Sequence, residues 1–150
     1  MIMKYAGIKL WLLGAFLFSV HMGFAQDTVN NSMENCANLL YPEYVSTGQE
    51  FFADLNKNNK ATFHTTFYGG SRYRLVACSN IKKHKLILNV YDTEMNLLFS
   101  NIKHNYTPYW NLGFTSTVDC IVEIEVEAKK QVNKPVKLLI GFKEKSRHIN

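Results

Sequence analysis

In Asp119-Cys120-Ile121-Val122-Glu123-Ile124-Glu125-Val126-Glu127 the residues from Val122 on alternate: Val122, Ile124 and Val126 take every second place, and Glu123, Glu125 and Glu127 the places between. A period of two sends successive side chains to opposite faces of an extended chain, so this stretch predicts a strand with one wet and one buried face. Cys120 falls on the buried face with Val122 and Ile124, as a small hydrophobe.

Outward from this strand the pattern repeats. Runs 49–54, 61–67, 72–78, 85–91, 96–100, 108–115 and 135–143 are rich in aromatic and β-branched residues and are separated by Asn, Gly, Lys and Asp. Phe63 with Phe67, Tyr73 with Leu75 and Ala77, Leu86 with Leu88 and Val90, Trp110 with Leu112 and Phe114, and Val136 with Leu138 and Ile140 form the inward rows. Gly69-Gly70 predicts a turn at positive φ joining the second and third runs. Asp92 to Asn96 predicts a second turn, held by the aspartate side chain, and Pro135 opens the last strand where its missing amide donor costs little. Eight strands in roughly a hundred residues predict an all-β, two-layer antiparallel β-sandwich. Before them, Asn31 as cap, Glu34 three residues on, one face of Met33, Cys36, Ala37 and Leu40, and Pro42 as stop predict a short N-terminal helix.

The first 25 residues follow another pattern. Lys4 and Lys9 precede an apolar run, Leu10 to Val20, which ends in Gly23-Phe24-Ala25. A charged start, an apolar centre shorter than the ~20 residues needed to cross a bilayer, and small residues before Gln26 predict a signal peptide cleaved after Ala25. The expected division is a signal at 1–25, a leader with the short helix at 26–47, the sandwich at 48–143 and a frayed tail at 144–150. The expected location is outside the cytoplasm, in the periplasm, on the cell surface or in the medium, with no membrane span after cleavage.

Net charge is +5 over the whole chain and about +3 once Lys4 and Lys9 leave with the signal, too mild for a nucleic-acid footprint. Lys82-Lys83-His84-Lys85 reads as a solvated turn. Three cysteines, Cys36, Cys78 and Cys120, sit in an exported chain, where any two of them can form a disulfide and the third is left over. None lies in a nucleophile motif. The serine-hydrolase elbow, zinc-protease helix, Cys-x-x-Cys pair, phosphate loop and dinucleotide fingerprint are all missing, so no catalytic residue, metal site or cofactor is expected. His64, His84, His104 and His148 lack the short spacings of zinc ligands. Tyr106, Tyr109 and Trp110, stiffened by Pro108, are the first candidate contact surface, since rings in a loop offer large apolar area with few rotatable bonds. Tyr68 and Arg72, beside the glycine turn, are the second.

Gly48-Gln-Glu-Phe-Phe-Ala-Asp-Leu55, Ala61-Thr-Phe-His-Thr-Thr-Phe67 with Gly69-Gly70, Leu88-Asn-Val-Tyr-Asp92 leading to Asn96-Leu-Leu-Phe99, Phe114 to Ile124, and Val136 to Phe142 together resemble the bacterial pre-peptidase C-terminal domain. That family is a jelly-roll-like β-sandwich appended to secreted hydrolases. Tyr73-Arg-Leu-Val-Ala-Cys78, Tyr109-Trp110 and Leu139-Ile-Gly-Phe142 also look like a group of small exported Bacteroidetes-type proteins without assigned activity. The resemblance implies a jelly-roll sandwich acting as a non-enzymatic binding or accessory module, with an envelope or secreted protein as partner. The alternative is a carbohydrate-binding module using the aromatic loop.

Overall fold

The computed structural model describes residues 32–82 and 84–143. The expected signal peptide, Asn31, Lys83, His148 and the tail 144–150 lie outside the described residues.

Eight strands succeed one another: β1 (Val45–Asp54), β2 (Lys60–Phe67), β3 (Arg72–Ser79), β4 (Leu86–Asp92), β5 (Leu97–Ser100), β6 (Tyr109–Gly113), β7 (Val118–Val126) and β8 (Pro135–Lys143). All pairings are antiparallel, and they build two four-stranded sheets in the orders β1-β8-β3-β6 and β2-β7-β4-β5. Only β4 and β5 are sequential neighbours within one sheet; every other connection passes from one sheet to the other. This is the double-sheet jelly roll. One expectation changes with it: Gly69-Gly70 makes a crossover between sheets, with β2 in one and β3 in the other. Gly70 does take φ +83°, and Gly69 is needed for a different reason, since a Cβ there would lie 2.8 Å from Ser116 Cα and Thr115 O.

The inward rows meet between the sheets. Phe63, Phe67, Tyr73, Leu75, Ala77, Leu86, Leu88, Val90, Val136, Leu138 and Ile140 are buried with Cys120, Val122, Ile124 and Val126. Trp110, Leu112 and Phe114 pack against them half-buried, because β6 is a sheet edge. Each fully buried aliphatic or aromatic side chain contributes about 1.5–3 kcal/mol.

The N-terminal helix is reduced to one 3-10 turn, Cys36–Leu39, with no side-chain cap. A segment this short gains little from helix propagation, and tertiary contacts decide its path. It lies as a strap on the outer face of the β1-β8-β3-β6 sheet, where Cys36, Leu40, Val76, Cys78 and Leu139 form a second buried cluster edged by Leu39 and Tyr109. Cys36 is bonded to Cys78, and Cys120 is the free thiol. Arg74 completes the attachment. Its Nε donates to Asn111 Oδ1 (2.8 Å), one terminal nitrogen donates to Leu39 O (3.1 Å), and the other pairs with Glu43 at 3.2 Å. The guanidinium lies over the rings of both Tyr44 (4.3 Å) and Tyr109 (4.8 Å).

β1 starts at Val45, three residues before the expected boundary at Gly48. That glycine, at φ +79°, sits inside a register shift between Ser46 and Glu50.

Candidate functional site

β5 ends one sheet and β6 ends the other, so the sandwich is open along the side where these two edges lie, and the chain from Asn101 to Pro108 bridges it. Asn101 fixes that bridge. It is 1% exposed, its Oδ1 accepts from Leu88 N (2.9 Å), and its Nδ2 donates to Leu86 O (3.1 Å) and Thr107 O (3.0 Å). One amide side chain thus continues the β4–β5 ladder after the β5 backbone has turned into a 3-10 segment, Asn101–His104. Asn105, in the left-handed region at φ 54°, ends that segment.

Three rings plug the opening. Phe99 from β5 stacks on Trp110 from β6 at 4.8 Å, and the His104 ring lies 4.1 Å from Trp110 and 5.6 Å from Phe99. An open hollow of about 420 Å³ adjoins them, lined by His104, Thr107, Tyr109, Trp110 and Asn111. In and around β5 an apolar ridge follows the chain, made of Met95 (58% exposed), Leu97 (57%), Leu98 (47%) and Ile102 (48%).

Alternation explains the division of the expected aromatic surface. Tyr109 points outward toward Arg74 and the strap, Trp110 points inward to Phe99, and Tyr106 leaves the row to cover Lys85, whose Nζ is 4.1 Å from its ring centre. Tyr109 and Trp110 therefore meet only at the hollow, and the three rings make no common plane. Tyr68 is exposed, with its backbone N–H donating to Tyr73 Oη (2.9 Å), and Arg72 is exposed at the start of β3; the two share no hydrogen bond or cation–π contact.

The ridge escaped the sequence reading, although a signal was present: Leu97-Leu98-Phe99 breaks the alternation. Leu97 pairs with Tyr91 and Phe99 with Val90, so the register slips at Leu98 and both leucines stay outside while Phe99 turns in.

The titratable groups with displaced values owe their shifts to burial and to local bonds. Burial, then the charges of Asp92 and Asp119, push the Cys120 thiol up, which keeps it protonated and unreactive. The side-chain and backbone N–H groups of Asn96, then the Glu94 N–H, hold Asp92 below the usual carboxylate range. Its oxygens are engaged in the β4–β5 turn. Lys60, 3.1 Å from both Glu123 and Glu125, is raised by those two bonds. Glu123 and Glu125 thus face outward as expected, but joined to a lysine. Among the described residues, no three His, Cys, Asp or Glu side chains gather as a metal site requires, and no helix is long and apolar enough to cross a membrane. Compared with known proteins, the chain matches no family model and no curated protein.

Proposed function

We propose that this chain is an exported, non-enzymatic interaction module with an accessory role in the cell envelope or in secretion, and that the β5–β6 side is its contact surface. The observation that carries this reading is the clustering of exposed apolar side chains. Four of the eight large hydrophobic residues exposed among the described residues, Met95, Leu97, Leu98 and Ile102, fall within one eight-residue stretch. Contiguous exposed apolar surface costs solubility and is kept where a partner covers it. The Cys36–Cys78 bond suits an oxidising compartment, and the pre-peptidase C-terminal resemblance agrees with a module that assists another protein.

Capture of the tagged protein from its native envelope, with mass spectrometry of what is retained, tests this. A protein retained by wild type and lost with Leu98→Lys supports it; retention that is indifferent to that change refutes the assignment of the surface. A second reading, carbohydrate binding, draws on the hollow, where Trp110 and His104 supply rings and Thr107 and Asn111 supply polar groups. Glycan binding lost with His104→Ala and kept with Leu98→Lys would favour it.

A further inference from the structure

We infer that the partner seated on the apolar ridge is a second copy of this chain, docked about a twofold axis that crosses β5; this rests on the interaction reading above and names its partner. The four strands at sheet edges are β1, β2, β5 and β6. β2 opens with Lys60 and carries His64 and exposed threonines, β6 has no large hydrophobic residue among the exposed ones, and on β1 the exposed Val45 and Phe52 are separated by its bulge. β5 has none of these charges: it reads Leu97-Leu98-Phe99-Ser100. The register slip pushes both leucines out of the core.

The charges flanking β5 specify the occupant. The acidic end carries Glu94, three residues before the strand, and the basic end carries Lys103, three residues after it, with Met95 and Ile102 just inside them. Glu94, Lys103 and His104 are exposed. A twofold operation reverses one ridge against the other. It lays apolar centre on apolar centre and brings the acidic end of each copy to the basic end of its mate, twice per dimer. A surface of this layout is complementary to itself, whereas a uniformly charged partner would meet repulsion at one end. With a short strand and few residues per side, the expected dimer is weak, with a dissociation constant on the order of micromolar.

Sedimentation equilibrium of the purified protein across a concentration series tests the inference. Wild type is expected to show a reversible monomer–dimer equilibrium. Leu98→Lys, at an exposed site, is expected to give monomer, with the thermal midpoint of wild type when both are measured well below the dissociation constant. E94K and K103E alone should each raise the dissociation constant at least tenfold, and E94K/K103E together should return it to within about threefold of wild type, because the twofold restores opposite charges at both contacts. A monomeric wild type at hundreds of micromolar, a dimer indifferent to Leu98→Lys, or a double variant as weak as the singles overturns the inference. If the protein is monomeric yet captures an envelope protein in a Leu98-dependent manner, the second copy is refuted while the interaction reading stands.

Discussion

Replacing Asn101 by alanine removes the amide that stands in for a strand backbone beside β4. The loss follows from its three bonds, to Leu88 N, Leu86 O and Thr107 O. Leu88 is fully buried and Leu86 is 5% exposed, so neither freed backbone group has solvent at hand. Each buried group left without a partner costs about 1–3 kcal/mol, whereas the part-buried Thr107 carbonyl can turn to water for about 0.5 kcal/mol. The substitution should therefore destabilise the protein by about 3–5 kcal/mol, a large share of the ~5–15 kcal/mol typical of a domain. Guanidinium unfolding should show a lower midpoint at unchanged slope, and the thermal midpoint should fall by roughly 10–20 °C. Asn58→Ala, at an exposed turn position, serves as the control and should stay within about 0.5 kcal/mol. Hydrogen exchange localises the effect, since the Leu88 amide should lose protection first. A loss below about 1 kcal/mol, or an unchanged Leu88 amide, would refute the assignment of Asn101 as the continuation of the ladder.

Reducing the Cys36–Cys78 bond opens a loop with a sequence separation of 42 residues, worth about 4 kcal/mol on the chain-entropy model; unfolding with and without reductant measures it, and an unchanged midpoint would count against a closed loop. Gly141→Val should lift the strap, because a Cβ at 141 would already lie 2.8 Å from Leu40 Cδ2 and 3.1 Å from Tyr44 Cβ; faster release of the two bonded thiols under mild reductant is the readout. Cys120, buried and with its thiol raised, should resist alkylation in the native protein and react as the one free thiol after unfolding without reductant. Asp92 is held low in the folded state, so its contribution is present above the unfolded value of 3.8 and lost as pH falls through the lower folded value. The stability gap between wild type and Asp92→Ala should therefore be constant near neutrality and close below pH about 4. A gap that widens in acid would contradict the turn assignment.

The strands were legible in the sequence because burial between two sheets writes itself as a period of two, and β7 shows this most plainly. Their partners were not. Phe67 and Tyr73 flank a glycine pair that suits a hairpin, yet they belong to opposite sheets and meet as rings 4.8 Å apart across the core. Local spacing is the same for a hairpin and a crossover; the difference lies in β7 and β8, which arrive more than forty residues later to pair with β2 and β3. The expected aromatic surface is divided for a related reason. Tyr109 and Trp110 look like one aromatic cluster in sequence, but adjacent residues of a strand face opposite ways, and each found a different cluster to join.

The outer faces of the two sheets are covered by different means. On the β1-β8-β3-β6 sheet, Val76 and Leu139 point outward and would be bare, but the strap covers them and Arg74 satisfies the carbonyl of Leu39 at its end. The opposite sheet needs no cover, since Thr62, His64, Thr66, Glu123 and Glu125 give it a polar exterior. Each face has thus been dealt with by a separate device, one by a bonded strap and the other by composition. The β5 edge has neither device. No strap reaches it, no charge interrupts Leu97 and Leu98, and the bulge that elsewhere disrupts an edge here turns leucines outward. The proposed second copy rests on this uncovered stretch of Leu97 and Leu98, and on the opposite charges of Glu94 and Lys103 at its two ends, which a twofold axis would bring together.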